Sequence, residues 1–137
     1  MAWRKVFEAD LISSLSLEEI DAFRKSANFE HDPVDQLLAG VVAKVRGYIR
    51  ASRTVSLDPD ETTIPESLVT DAMDYLRYEI LTRMNVAVNE SRTKSYERAL
   101  ETFKDVANGT FKVEPGLTPV PEDAVAAPSI SVKPPIL

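Results

Sequence analysis

The chain has no cysteine and a single histidine, His31, among its 137 residues. Without cysteine there can be no disulfide framework, thiolate zinc site, iron–sulfur cluster or cysteine nucleophile. One histidine cannot build a multi-histidine metal centre. The glycines, at positions 40, 47, 109 and 116, are too scattered for a phosphate-cradling loop. No apolar run approaches the roughly eighteen residues of a membrane span. Glu8 and Asp10 interrupt the N-terminal stretch before it reaches signal-peptide length. The expectation is a soluble protein that folds in a cytoplasm, in which the glycosylation-like triplets at Asn89 and Asn108 are coincidental. Positive charge is also scarce. Sixteen Lys plus Arg face 22 Asp plus Glu, a formal charge of −6, which disfavours duplex binding because non-specific affinity comes from neutralising phosphates.

The 44% of hydrophobic residues suffices for a packed core, and the length suits one domain. Proline divides the chain. Pro33, Pro59 and Pro65 precede Pro115, Pro119, Pro121, Pro128, Pro134 and Pro135. Before the proline-rich end, apolar residues recur at spacings of 3 and 4, the helical period. Leu11, Ile12 and Leu15 mark a short first helix. Ser16 and Glu19 form a capping box opening a second, with Leu15 and Ile20 as its hydrophobic staple and Leu17, Ile20, Phe23 and Ala27 as its face. Asp32-Pro33 caps a third, whose stripe runs Val34, Leu37, Leu38, Val41, Val42, Val45, Tyr48, Ile49. Gly40 and Gly47 within it weaken a helix, so a closely approaching neighbour helix is expected there. Gln36, Lys44, Arg46, Arg50 and Arg53 are placed on its remaining, polar faces. After a connector, Thr54 to Ile64, Pro65 opens a fourth helix with the stripe Val69, Ala72, Met73, Leu76, Ile80, Met84. A fifth runs from about Asn89 to a left-handed stop at Gly109, with Tyr96, Ala99, Leu100, Phe103, Val106 and Ala107 inward. The fold class is all-α: a small bundle of about five helices over residues 1–109, with an extended Pro-rich C-terminal tail over 110–137.

Catalysis finds little material here. His31 precedes a helix cap and reads as solvated or capping. Asp58, Asp60 and Glu61 begin like an EF-hand loop, but Thr63 stands where its glycine belongs and Val69 where its glutamate belongs, so they read as a charged surface loop. No enzyme activity, metal or cofactor is expected. Lys44, Arg46, Arg50 and Arg53, with Arg92, Lys94 and Arg98, would form a basic patch if adjacent. The plainer reading is dipole compensation and a mixed solvated face. Tyr75, Arg77 and Tyr78 are residue types favoured at subunit interfaces, and equally suit a sealed bundle edge. The tail is too proline-rich for helix or interior strand and too apolar for a solvating linker. As polyproline II its 28 residues reach roughly 85 Å. Val113, Leu117, Val120, Ile130, Val132, Ile136 and Leu137 would then dock on a partner; the alternative is a tail folded back over a groove.

The order of elements resembles the small head–tail connector, or neck adaptor, proteins of tailed bacteriophages. The likeness rests on Ala9-Asp10-Leu11-Ile12, on the helix ending Val45-Arg46-Gly47-Tyr48-Ile49-Arg50-Ala51-Ser52-Arg53, on Pro65-Glu66-Ser67-Leu68 continuing to Asp74-Tyr75-Leu76-Arg77-Tyr78, and on Tyr96-Glu97-Arg98-Ala99-Leu100 through Phe103 to Gly109. It covers most of residues 8–113 and departs in the Pro-rich extension. It implies a structural virion protein without catalytic residues, located in the virion neck after assembly in the bacterial cytoplasm. It further implies a homo-oligomeric ring, commonly dodecameric, bound to the portal protein and to a further neck or tail protein. DNA would pass through without specific binding, and no membrane would be involved. The alternative is a small helical DNA-binding packaging or regulatory subunit.

Overall fold

The computed structural model describes residues 3–12, 14–26 and 33–116. Along them run β1 (Trp3–Lys5), α1 (Glu8–Ile12), α2 (Leu17–Ser26), α3 (Pro33–Ser52), β2 (Thr63–Pro65), a 3-10 turn (Glu66–Leu68), α4 (Val69–Arg83) and α5 (Glu90–Ala107). These residues are mostly helical, in five α-helices, as the spacing predicts. His31 and Ala27 lie outside the described residues.

The caps do what their residue types dictate. The Glu19 amide donates to Ser16 Oγ at 3.1 Å and the Ser16 amide to Glu19 Oε1 at 3.1 Å, the reciprocal capping box. Asn89 Oδ1 accepts from the Arg92 amide at 2.8 Å to start α5, and Gly109, at φ +85°, ends it. The staple residues Leu15 and Ile20 are buried. Leu17, expected beside them, is 54% exposed, because the first helical position turns out of the seam that Ile20 and Phe23 fill.

α3, α4 and α5 pack against one another, and α1 and α2 close the other side against α3 and α4. The core collects Val34, Val45 and Ile49 from α3, Leu76 and Ile80 from α4, and Ala99, Phe103 and Val106 from α5. The connector before α4 departs from expectation. Pro65 does not open the fourth helix: it ends β2, paired with Trp3 in the antiparallel register Trp3↔Pro65, Lys5↔Thr63, and α4 begins at Val69. Proline is tolerated in a two-stranded ribbon because its missing N–H can face away from the partner.

Gly40 and Gly47 do not mark a close helix crossing. A Cβ at either position would meet no atom within 4 Å. No close contact among the described residues offsets their backbone entropy, so Gly40→Ala and Gly47→Ala should each stabilise the chain by about 0.5–1 kcal/mol, read as a higher urea midpoint at unchanged slope. A fall in the midpoint would show that the helix needs glycine there.

The body does not end at residue 109. Val113 is 8% exposed and belongs to the core cluster. Trp3 Nε1 donates to the Glu114 carbonyl at 2.8 Å, Ser67 Oγ to Glu114 Oε1 at 2.7 Å, and the Gly116 amide to the Ser56 carbonyl at 2.8 Å. A Cβ on Gly116 would sit 2.2 Å from the Asp58 nitrogen, so only glycine fits against that backbone. Val113, counted from sequence with the docking arm, is thus packed into the core of its own chain, where burial removes its apolar surface from water. Leu117, Val120, Ile130, Val132, Ile136 and Leu137 lie outside the described residues.

Candidate interaction surface

Four tyrosines and one phenylalanine form a continuous row where α3, α4 and α5 meet. Tyr48 of α3 stacks on Phe103 of α5 with ring centroids 5.6 Å apart, and Phe103 meets Tyr75 of α4 edge-on at 6.1 Å. Tyr96 of α5 lies between the two α4 tyrosines, 5.4 Å from Tyr75 and 3.9 Å from Tyr78. The spacing explains it: Tyr75 and Tyr78 are three apart on α4, hence on one face, and Tyr96 and Phe103 are two turns apart on α5. Phe103 is fully buried, whereas all four tyrosines are half-buried. Such rings carry large apolar area with a polar rim, the composition of contact hot spots.

The Lys44 ammonium lies 5.5 Å from the Tyr75 ring centroid and 5.8 Å from that of Tyr48. Burial opposes its charge, but Tyr75, Tyr48 and Glu79 outweigh that and hold it above the ordinary lysine range. Burial, with Tyr75, Glu79 and Tyr78 nearby, pushes the Tyr96 phenol upward. Beside Lys44 a groove of about 170 Å³ opens between α3 and α4, lined by Gly40, Lys44, Tyr75, Glu79 and Arg83 among others. Arg83 is 56% exposed and stands 3.8 Å from Glu79.

Arg77 does not join Tyr75 and Tyr78. It turns to the opposite side of α4, donates to the Ser14 carbonyl at 3.1 Å and stands 3.6 Å from Asp74, with its side chain 12% exposed. Ser14 Oγ lies 3.4 Å from Asp74 Oδ1, so these three residues fasten the turn after α1 to α4. The sequence trio therefore splits: two tyrosines on the row, the arginine in a structural contact. Lys44 and Tyr96, which complete the row, were placed by spacing on a polar face and in the core stripe. The lysine three residues after Val41 and four before Tyr48 is the signal that links them.

The basic residues are dispersed in their roles. Arg46 is 6% exposed, not on a polar face: it donates to the carbonyls of Asp58 at 2.6 Å, Asp60 at 3.0 Å and Thr63 at 2.8 Å. Its guanidinium also lies 5.3 Å from the Trp3 ring centroid. Arg92 pairs with Glu19 at 2.9 Å, and that pair with the capping box holds the Glu19 carboxyl below its usual range. Lys94 stands 3.4 Å from Glu90. The acidic loop is also occupied. Asp58 accepts the Asp60 amide at 2.9 Å, and Asp60 accepts the Thr62 amide at 3.0 Å, which is Asx-turn chemistry. Among the described residues no group of three or more His, Asp or Glu is arranged to hold a metal ion, and no helix is long and apolar enough to cross a membrane.

A family profile described as Bacteriophage Mu, Gp36 matches residues 6–131. No curated protein and no solved structure matches the chain.

Proposed function

Since the chain belongs to the Bacteriophage Mu Gp36 family and is a phage protein, we propose that it is a structural virion component, a ring-forming head–tail connector that binds the portal and extends the DNA channel toward the tail. Subunits would pack head to tail, the arrangement that closes into a ring when the rotation permits, and the tyrosine row would supply one contact surface. In this reading the protein carries no catalysis and takes no cofactor. It sits in the virion neck after assembly in the host cytoplasm. The acidic balance, −6 overall, suits a channel wall along which DNA slides without adhering.

One observation carries the reading. The buried cluster of described residues runs from Trp3 to Val113, whereas seven large apolar residues from Leu117 to Leu137 continue beyond the anchor at Gly116. Apolar side chains on so proline-rich a segment gain free energy only by burial on a surface, and an arm reaching a neighbouring component provides it. Native mass spectrometry and particle imaging of the full chain, alone and mixed with purified portal, should show a ring. A monomer in both conditions overturns the proposal. Deleting residues 117–137 should leave the helical circular dichroism unchanged and weaken portal or ring attachment at least tenfold. The cut must fall after Gly116, because Val113, Glu114 and Gly116 hold the body together.

A further inference from the structure

We propose that the groove between α3 and α4 receives the segment Pro119-Val120-Pro121-Glu122-Asp123 of a neighbouring copy of this chain, so that each subunit is latched by the next. The inference rests on the ring reading above and names the partner of the tyrosine surface. Three observations argue it. The groove is walled by Tyr75, with Tyr96 and Tyr78 stacked beyond it. Proline-rich segments in the polyproline II conformation dock on such aromatic walls, because their backbone is already extended and little ordering entropy is lost. The charges also match. Lys44 and Arg83 outnumber Glu79 at the groove, and Glu122 and Asp123 immediately follow the Pro-Val-Pro run. Floor space is supplied by Gly40, above which no atom lies within 4 Å.

Reach decides whose segment it is. Gly116 is pressed against Leu57 and Asp58, the loop that Arg46 holds. Lys44 and Arg46 are two residues apart on α3, about 200° around its axis, so the arm leaves on the side of the helix opposite the groove. Two residues, Leu117 and Thr118, separate Gly116 from Pro119, at most about 10 Å of extended chain. The helix with its side chains is about 10–12 Å across, and the path around it is longer still. Seating Pro119 in the groove of its own chain would require the backbone to cross α3 within those positions, so the segment is assigned to a neighbour.

The test uses the full-length chain, alone and with portal, and reads the self-association constant by analytical ultracentrifugation. Reversing the groove charges (Lys44→Glu with Arg83→Glu), or the arm charges (Glu122→Lys with Asp123→Lys), should weaken association at least tenfold. Combining all four should restore it to within about threefold. Gly40→Leu, whose Cβ would meet no described atom within 4 Å and whose branch would enter the groove, should weaken it likewise. Unchanged association in the reversed variants, or no recovery in the combined one, overturns the latch and leaves the connector reading standing. If the unaltered chain does not associate in either condition, both fall.

Discussion

Arg46→Met should lower the unfolding free energy by about 3–5 kcal/mol, with the single tryptophan emission shifted to the red. The guanidinium fans out to three carbonyls of the 58–63 loop and lies against Trp3. Methionine matches its apolar stem but donates nothing. Each orphaned, partly buried carbonyl costs about 1–3 kcal/mol until the loop swings out to water, and three of them lose their donor together. Arg46→Lys should recover only part of the loss, since a point charge with three donors cannot span three carbonyls as a planar fork does. Urea unfolding followed by both circular dichroism and tryptophan emission measures this. A midpoint shift worth under about 1 kcal/mol would show that the loop holds itself.

Phe103→Ala should be comparably severe. The ring is fully buried and touches Tyr48 and Tyr75. Emptying such a site costs about 3–5 kcal/mol, transfer plus cavity. For a domain of about 100 residues each kcal/mol is worth roughly 4–8 °C, so a melting temperature lower by 15 °C or more is the expected calorimetric result. Phe103→Leu, which keeps most of the volume, should lose under about half as much. The pair also separates core from surface. If the alanine variant melts normally, the tyrosine row is held by something other than its buried end.

The helices were legible wherever a local rule governs them. Ser16 with Glu19, Asn89 and Gly109 each act within four residues of themselves, so spacing alone places them. What stayed hidden depends on partners distant along the chain. Trp3–Lys5 and Thr63–Pro65 are three-residue strands, too short for an alternating pattern to register. Arg46 looks like a surface residue of an amphipathic helix until the loop ending in β2 folds over it. Val113 precedes the proline-rich end, so composition assigned it to the arm, although it is buried in the core cluster next to Glu114, whose carbonyl accepts from Trp3 across 111 positions. Gly40 and Gly47 misled for the opposite reason: the rule that pairs glycine with a close neighbour is sound, but among the described residues no atom comes within 4 Å of a Cβ at either position.

The way the arm is anchored has a mechanical consequence. A pull on the arm is transmitted first to Gly116, wedged on the Leu57–Asp58 backbone, and then through Glu114 to Trp3. Trp3 belongs to β1, whose ribbon partner β2 adjoins the loop clamped by Arg46. Tension is therefore shared by a small crosslinked corner before it can peel α5 from its neighbours. Force applied to the chain beyond Gly116 therefore meets the Trp3–Glu114 and Arg46 contacts before it meets the helix packing.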